Sequence, residues 1–410
     1  MKVRQLFPAG PTVSVEDLLA HAASAEAAPL RVGDERIGDF LARFARRLLA
    51  PAVARRHPEL GSLGFFLRPA ELARTAERMR AAGGAEALAF PRGRIFHVPP
   101  ANVDTIFVYS WALAALAGNV NVVRVSARAA GAATAVLEAL NETLADADPV
   151  VGRTQQMITY GRDDEVTAAL SAWSDLRVIW GGDAAVGEIR RHPLGPAARD
   201  LTFPDRASYA ALSVPGWRAA EPGARRAAVT GFANDVFWFD QAACASPRAV
   251  FLVGAPEPAE QVRREFLAEL VEVVGARGWR VDAAMAVQKR VSAYGLAATG
   301  AAVALEFPDH AVTGVVLAGP ESLTRQWLGA GTVPFVTVPD LTDVVPLLGR
   351  RDQTFSHFGF TRDELTAFAT ALGGRGIDRI VPFGAALTFA GVWDGYDLRR
   401  EFTRLTTVQT

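Results

Sequence analysis

The stretch Val178-Ile179-Trp180-Gly181-Gly182-Asp183-Ala184-Ala185-Val186-Gly187 decides the fold class. An apolar run ends in a tight Gly-Gly turn, and a helical pattern follows at once. The amides at the start of such a helix have no intrahelical partner and can take a phosphate. Upstream, the same alternation repeats. Apolar runs predict strands over 94–98, 120–125, 157–160 and 176–180. Ala-rich segments predict helices over 104–117, 130–144, 165–173 and 184–191. Strand–helix repetition of this kind specifies a parallel, doubly wound sheet. Near-continuous apolar strands fit a sheet buried on both faces.

Downstream, strands are predicted over 208–212, 249–253, 303–307, 312–318, 333–338 and 380–383. Helices are predicted over 224–234, 260–275 and 341–348. Residues up to about 90 read mostly as helix, with three helices over 15–22, 37–50 and 69–82. Pro215-Gly216 and Pro222-Gly223 punctuate the chain, which sets a division there. The expected organisation is therefore 1–225, N-terminal helices with a nucleotide domain; 226–385, a second α/β domain; and 386–410, a tail packing back on the first.

The 410 residues are 50% hydrophobic, ample for large cores, and 43 Lys+Arg against 44 Asp+Glu leave a net charge of −1. That balance lacks the basic field of a nucleic-acid binder. Only Lys2 and Lys289 are lysines. Neither stands in a Gly-rich phosphate loop, and Ala286-Val287-Gln288-Lys289-Arg290 reads as a solvated helix face. No secretory signal opens the sequence, and the apolar run 106–123 is interrupted by Ser110, Gly118, Asn119 and Asn121, so a cytoplasmic protein without a membrane span is expected. His21, His57, His192, His310 and His357 are scattered, and no metal site is expected.

Four segments carry candidate chemistry. Cys244, the single cysteine, lies in Asp240-Gln241-Ala242-Ala243-Cys244-Ala245-Ser246-Pro247-Arg248. Small neighbours let a carbonyl approach the sulfur; a packed structural thiol is the alternative. Asn102 follows the rigid Pro99-Pro100 turn and is placed either to donate to an oxyanion or to serve as a turn or helix cap. Arg124 and Ser126 close the 120–125 strand at the edge where doubly wound sheets bind nucleotides, or form an ordinary solvated strand end. Gly181 and Gly182 form the turn already quoted. The G-x-G-x-x-G dinucleotide fingerprint is absent.

In this order, Pro99-Pro100-Ala101-Asn102, Leu116-Ala117-Gly118-Asn119 through Arg124-Val125-Ser126, Trp180-Gly181-Gly182, Asp240-Gln241 through Cys244-Ala245-Ser246-Pro247, and Arg379-Ile380-Val381-Pro382-Phe383-Gly384 with Trp393-Asp394-Gly395-Tyr396-Asp397 resemble the aldehyde dehydrogenase superfamily. The nearer resemblance is to its LuxC-type acyl-CoA reductases, and it spans about 90 to 400.

The resemblance implies an aldehyde dehydrogenase-like α/β fold, with a Rossmann-type nucleotide domain and an α/β catalytic domain. It implies reduction of an acyl thioester, from acyl-CoA or an acyl-carrier protein, to an aldehyde by NADPH, with NADH as the alternative. Cys244 becomes the nucleophile, and Asn102 with the Cys244 N–H the oxyanion donors. Arg124, Ser126, Gly181, Gly182, Pro99 and Pro100 become coenzyme contacts. Arg124 stands where the superfamily usually has Lys. Hydrolytic relatives carry a deacylating Glu; the aligned Thr202-Phe203-Pro204-Asp205-Arg206-Ala207-Ser208 has none, which favours reduction. A homo-oligomer, or a complex with an acyl-transferring or aldehyde-consuming enzyme, is the implied assembly. An acyltransferase or thioesterase using the same cysteine and an acyl-phosphate reductase are the alternatives.

Overall fold

The computed structural model describes residues 1–24, 29–84, 86–100, 106–127 and 131–409. They form two compact units, 1–204 with 389–410, and 205–388. The sequence had placed divisions at 225/226 and 385/386. The prolines near 215 and 222 instead open helices, Val214–Ala219 and Pro222–Phe237, each with Pro in its first turn.

The first unit holds strands β1 (Lys2–Phe7), β2 (Ala9–Ser14), β3 (Ala87–Pro91), β4 (Arg94–Val98), β5 (Val120–Arg124), β6 (Gln155–Thr159), β7 (Leu176–Trp180) and β8 (Arg199–Phe203). Seven of them form one sheet in the order β2-β1-β6-β5-β4-β7-β8. The strands from β6 to β8 run parallel, and β1 is antiparallel to both its neighbours. The sequence reads residues up to about 90 as mostly helix; the structure adds two strands at the start, β1 and β2. Lys2–Phe7 and Ala9–Ser14 pair with each other at the edge of the sheet, and the helices of this region follow them.

Succession runs from β4 through β5 to β6, then returns to β7 on the other side of β4. The switch of direction lies between β4 and β7, where Val98 stands opposite Ile179. In a doubly wound sheet, a crevice opens at the carboxyl ends of the two strands flanking such a switch.

The helix Ile106–Leu116 is buried along its whole length. A helix apolar on every side needs neighbours all round, and this one is a core helix. Among the described residues no helix is long and apolar enough to cross a membrane. Beside it runs a buried polar network. His97 pairs its Nδ1 with Ser110 Oγ at 2.9 Å and its Nε2 with Asn121 Oδ1 at 3.0 Å. An amide oxygen only accepts, so Nε2 carries the proton and the Ser110 hydroxyl donates to Nδ1. Asn121 and the Trp111 indole both donate to Gln155 Oε1. Asn119 donates to the Ala114 and Phe402 carbonyls, each at 2.9 Å, and so ties the returning segment 389–410 to the sheet. That segment adds β16 (Val392–Trp393), β17 (Tyr396–Asp397) and β18 (Thr403–Thr407), the last paired antiparallel with β3.

The second unit holds β9 (Ala207–Ser213), β10 (Pro247–Val253), β11 (Ala302–Glu306), β12 (Thr313–Leu317), β13 (Thr332–Val338), β14 (Asp352–Phe358) and β15 (Arg379–Pro382). They form a single sheet in the order β11-β12-β13-β10-β9-β14-β15. Only β11 is antiparallel to its neighbour. All seven residues of β9 are buried, since helices cover both faces of a parallel sheet. Local signals fix helix ends here. Thr361 and Glu364 form a capping box at the helix Arg362–Leu372, which Gly373 stops in the left-handed conformation.

Candidate functional site

In the first unit, Val98-Pro99-Pro100 and Trp180-Gly181-Gly182 leave the carboxyl ends of the adjacent strands β4 and β7. Pro99 and Pro100, and Gly181 and Gly182, therefore meet at the switch of strand order. Gly182 is the N-cap of the helix Asp183–Arg190 and, lacking a side chain, makes no side-chain capping hydrogen bond to it. The indole Nε1 of Trp180 is buried without a hydrogen-bond partner among the described residues. Arg124 ends β5, the next strand over. Its guanidinium lies 4.5 Å from the centre of the Tyr160 ring and donates to the Gly161 carbonyl at 3.2 Å. Ser126 is half-buried just beyond. Asn102 lies outside the described residues.

In the second unit, Cys244 is exposed on a turn between the helix Pro222–Phe237 and β10. The turn stands at the amino edge of the sheet. Ser208, near the start of β9, donates its hydroxyl to the Cys244 carbonyl at 2.6 Å and accepts the Thr354 N–H of β14 at 3.1 Å. Gln241 is buried and donates to the carbonyls of Pro247, at 2.7 Å, and Thr332, at 3.0 Å. Ser246 donates to the Asp235 carbonyl at 2.7 Å. Three neighbouring segments thus hold the backbone of the cysteine turn. Within it, Asp240 and Gln241 adopt φ of 49° and 59°. Consecutive left-handed conformations at residues other than glycine cost on the order of 1 kcal/mol or more each, and such strain concentrates at functional sites.

Arg248, four residues after Cys244, donates to the Gln241 carbonyl. The sequence displayed Arg248 inside the quoted motif without assigning it a part. Its cationic form and the Cys244 sulfur are in Coulombic reach of one another. Burial pushes the Asp240 carboxyl up from the usual range, with Asp282 adding repulsion.

His357, Phe237 and Asp235 also belong to this unit. His357 stands near the carboxyl end of β14, facing Ala211 of β9, while Cys244 is tied to Ser208 at the opposite end of that strand. Burial lowers its imidazole pKa. Phe237 packs in the core, stacked on Trp279 at 5.3 Å. Asp235 is buried and binds backbone amides. The reading of Lys289 as solvated is corrected. It is buried and donates to the carbonyls of His310 and Ala311, while Val287, Val291 and Tyr294 of the same helix face outward. Among the described residues no group of three or more His, Cys, Asp or Glu is placed to hold a metal ion.

Comparison with known proteins agrees with the architecture. The structure matches aldehyde dehydrogenase 21 from Physcomitrella patens with a TM-score of 0.69 and 11% identity, covering 97% of this chain and 91% of that one. It matches lactaldehyde dehydrogenase from Escherichia coli with a TM-score of 0.62 and 14% identity, covering 96% and 89%. The fold is that of the aldehyde dehydrogenases. In sequence, the chain is 24% identical over 325 residues to a long-chain acyl-protein thioester reductase of Photorhabdus laumondii, 78% of this chain and 64% of that protein. It is 29% identical over 171 residues to the enzyme of that name from Vibrio harveyi, 40% of this chain and 33% of that protein. The chain thus spans less than two thirds of the length of these curated relatives. The profile of acyl-CoA reductase (LuxC) matches residues 78–406. By that match across most of its length, the chain belongs to the LuxC acyl-CoA reductase family.

Proposed function

We propose that the protein reduces an acyl thioester, carried by CoA or an acyl-carrier protein, to an aldehyde through a cysteine acyl-enzyme. The observation that carries the reading is the anchored, strained turn that presents Cys244, the chain's only cysteine, to solvent in a member of an acyl-CoA reductase family.

The Cys244 thiolate attacks the acyl carbonyl, and the carrier thiol leaves as the C–S bond to the enzyme forms. The oxyanion is met by the Cys244 N–H and by Asn102, a part taken from the family resemblance. The stretch from Thr202 to Ser208 supplies no Glu to activate water, so the acyl-enzyme persists until it is reduced. The switch-point crevice fits a dinucleotide. Gly181 and Gly182 offer backbone amides to the pyrophosphate, Pro99 and Pro100 form the opposite wall, and Arg124 with Ser126 meets the adenosine end. When bound, the reduced nicotinamide supplies the hydride that turns the acyl group into an aldehyde. NADPH is preferred to NADH on the family resemblance.

Purified protein incubated with an acyl-CoA and NADPH, or NADH in a parallel arm, should consume the coenzyme as aldehyde appears. Cys244→Ala should abolish this. Full activity in Cys244→Ala overturns the mechanism. Release of free CoA without coenzyme consumption assigns a thioesterase instead.

A further inference from the structure

The two left-handed residues of the cysteine turn each give their carbonyl to a side chain outside the pair. The Gln241 carbonyl is taken by Arg248. The Asp240 carbonyl is taken by Trp327, whose indole Nε1 donates to it at 3.0 Å. An indole nitrogen only donates, so the direction of this bond is fixed. It is answered in the reverse sense, because Gln241 donates to the Thr332 carbonyl at 3.0 Å. The segment 327–332 and the cysteine turn therefore hold each other at two points.

Trp327 is half-buried and firmly seated. Just before it, Arg325 pairs with Asp352 of β14 at 2.7 and 2.8 Å. Just after it, Leu328, Gly329 and Ala330 are buried. Gly329 lies so close on Lys289 that a Cβ there would meet the lysine Cγ at 2.6 Å. Lys289 is fastened in turn to the His310 and Ala311 carbonyls, so the buried lysine supports the segment that carries the indole.

Positive φ at Asp240 and Gln241 is unfavourable for residues with a Cβ, and such a pair persists only where its surroundings hold it. A donor planted on the Asp240 carbonyl opposes relaxation of the pair directly.

We infer that Trp327 is a positioning residue for the nucleophile: its indole N–H, bound to the Asp240 carbonyl, holds the turn in the strained form that presents Cys244. The inference rests on the reading of Cys244 as the nucleophile. It adds a side chain, distant in sequence, that fixes where the sulfur stands relative to an incoming carbonyl.

The test separates the N–H from the ring and reads the turn apart from the reaction. Trp327→Phe keeps an aromatic ring and removes the donor. Trp327→His keeps the donor, because the histidine Nε2 occupies the place in its five-membered ring that Nε1 occupies in the indole. Since Cys244 is the sole cysteine, protein labelled with carbon-13 at the cysteine Cβ gives a nuclear magnetic resonance signal from the turn alone. That signal should shift or split in Trp327→Phe and stand at the wild-type position in Trp327→His. With acyl-CoA and NADPH, Trp327→Phe should lower kcat about tenfold and change the acyl-CoA KM by less than about twofold. Trp327→His should recover most of kcat. A part in stability alone would lower the melting temperature and leave both readouts in place. An unmoved signal or an unmoved kcat in Trp327→Phe overturns the inference. If that variant does not fold, a displaced signal in Trp327→His overturns it as well. Wild-type inactivity toward acyl-CoA, with a signal that still moves in Trp327→Phe, would instead remove the proposed reaction and leave the hold of Trp327 on the turn intact.

Discussion

Asp235 Oδ2 accepts the backbone N–H of Gly384 at 2.7 Å, and its Oδ1 that of Ala386 at 3.1 Å. One carboxylate thereby fastens the segment after β15 to the helix that leads into the cysteine turn. Burial pushes this carboxyl up to about 7 against the opposing pull of those amides and of Arg379.

A raised carboxyl contributes stability fully below the ordinary carboxylate range and loses it as pH rises to about 7. The whole change is on the order of 4 kcal/mol. Asp235→Asn has no such dependence. Its stability deficit relative to wild type, read from urea midpoints, should be largest at pH 5 and smallest at pH 8. A deficit that does not vary with pH would refute the assignment.

His97 behaves in the opposite sense. Burial holds its imidazole down at about 4. Its stabilising contribution is complete above the ordinary histidine range of about 6.5 and falls away as pH drops toward 4, by about 3 kcal/mol. Replacing it in His97→Gln should flatten the acid limb of the stability profile between pH 6.5 and 4. The same acid slope in the variant would show that other groups set it.

Gln241→Leu strips the buried Pro247 and Thr332 carbonyls of their donor. Leaving two buried acceptors unpaired should cost about 2–4 kcal/mol. Gln241→Glu should be no better, because a carboxylate cannot donate. A denaturant midpoint shifted by an amount worth less than about 0.5 kcal/mol in both variants would mean that the turn is held by its other contacts alone.

Arg124 is stacked on Tyr160 and its carbonyl bond fixes the guanidinium at the end of β5. If this group meets the coenzyme, Arg124→Gln should raise the coenzyme KM about tenfold and leave kcat nearly unchanged, a loss of about 1.4 kcal/mol of binding. A fall in kcat at unchanged KM would place Arg124 outside the coenzyme site.

The parallel strands β4 to β7 were legible in the sequence because each is centred on an adjacent apolar pair, Ile95-Phe96, Val122-Val123, Met157-Ile158 and Val178-Ile179. The strand β14 was not. Asp352, Gln353, Thr354 and Ser356 are buried there as polar residues, so the strand lacks the apolar signature. Lys289 misled for a related reason. Its helix, Ala283–Ala298, turns a lysine inward onto two carbonyls and leaves three apolar side chains outside, inverting the usual pattern. The cysteine turn was found from its small residues, whereas the bonds that hold it, from Ser208, Gln241 and Ser246, needed three dimensions because their partners come from other strands and from the preceding helix.

The pairing of Asn119 with Phe402 carries a consequence for biosynthesis. The first unit is written in two pieces, with residues 205–388 between them. During translation, all seven strands of the second sheet leave the ribosome before the segment that closes the first unit exists. The inserted unit can thus fold early, while the N-terminal piece waits with one Asn119 amide bond, that to Phe402, unmade and β3 without its partner β18. Stalled or shortened chains would then carry a finished cysteine turn while β3 still lacks its partner β18, a form for chaperones and proteases to recognise.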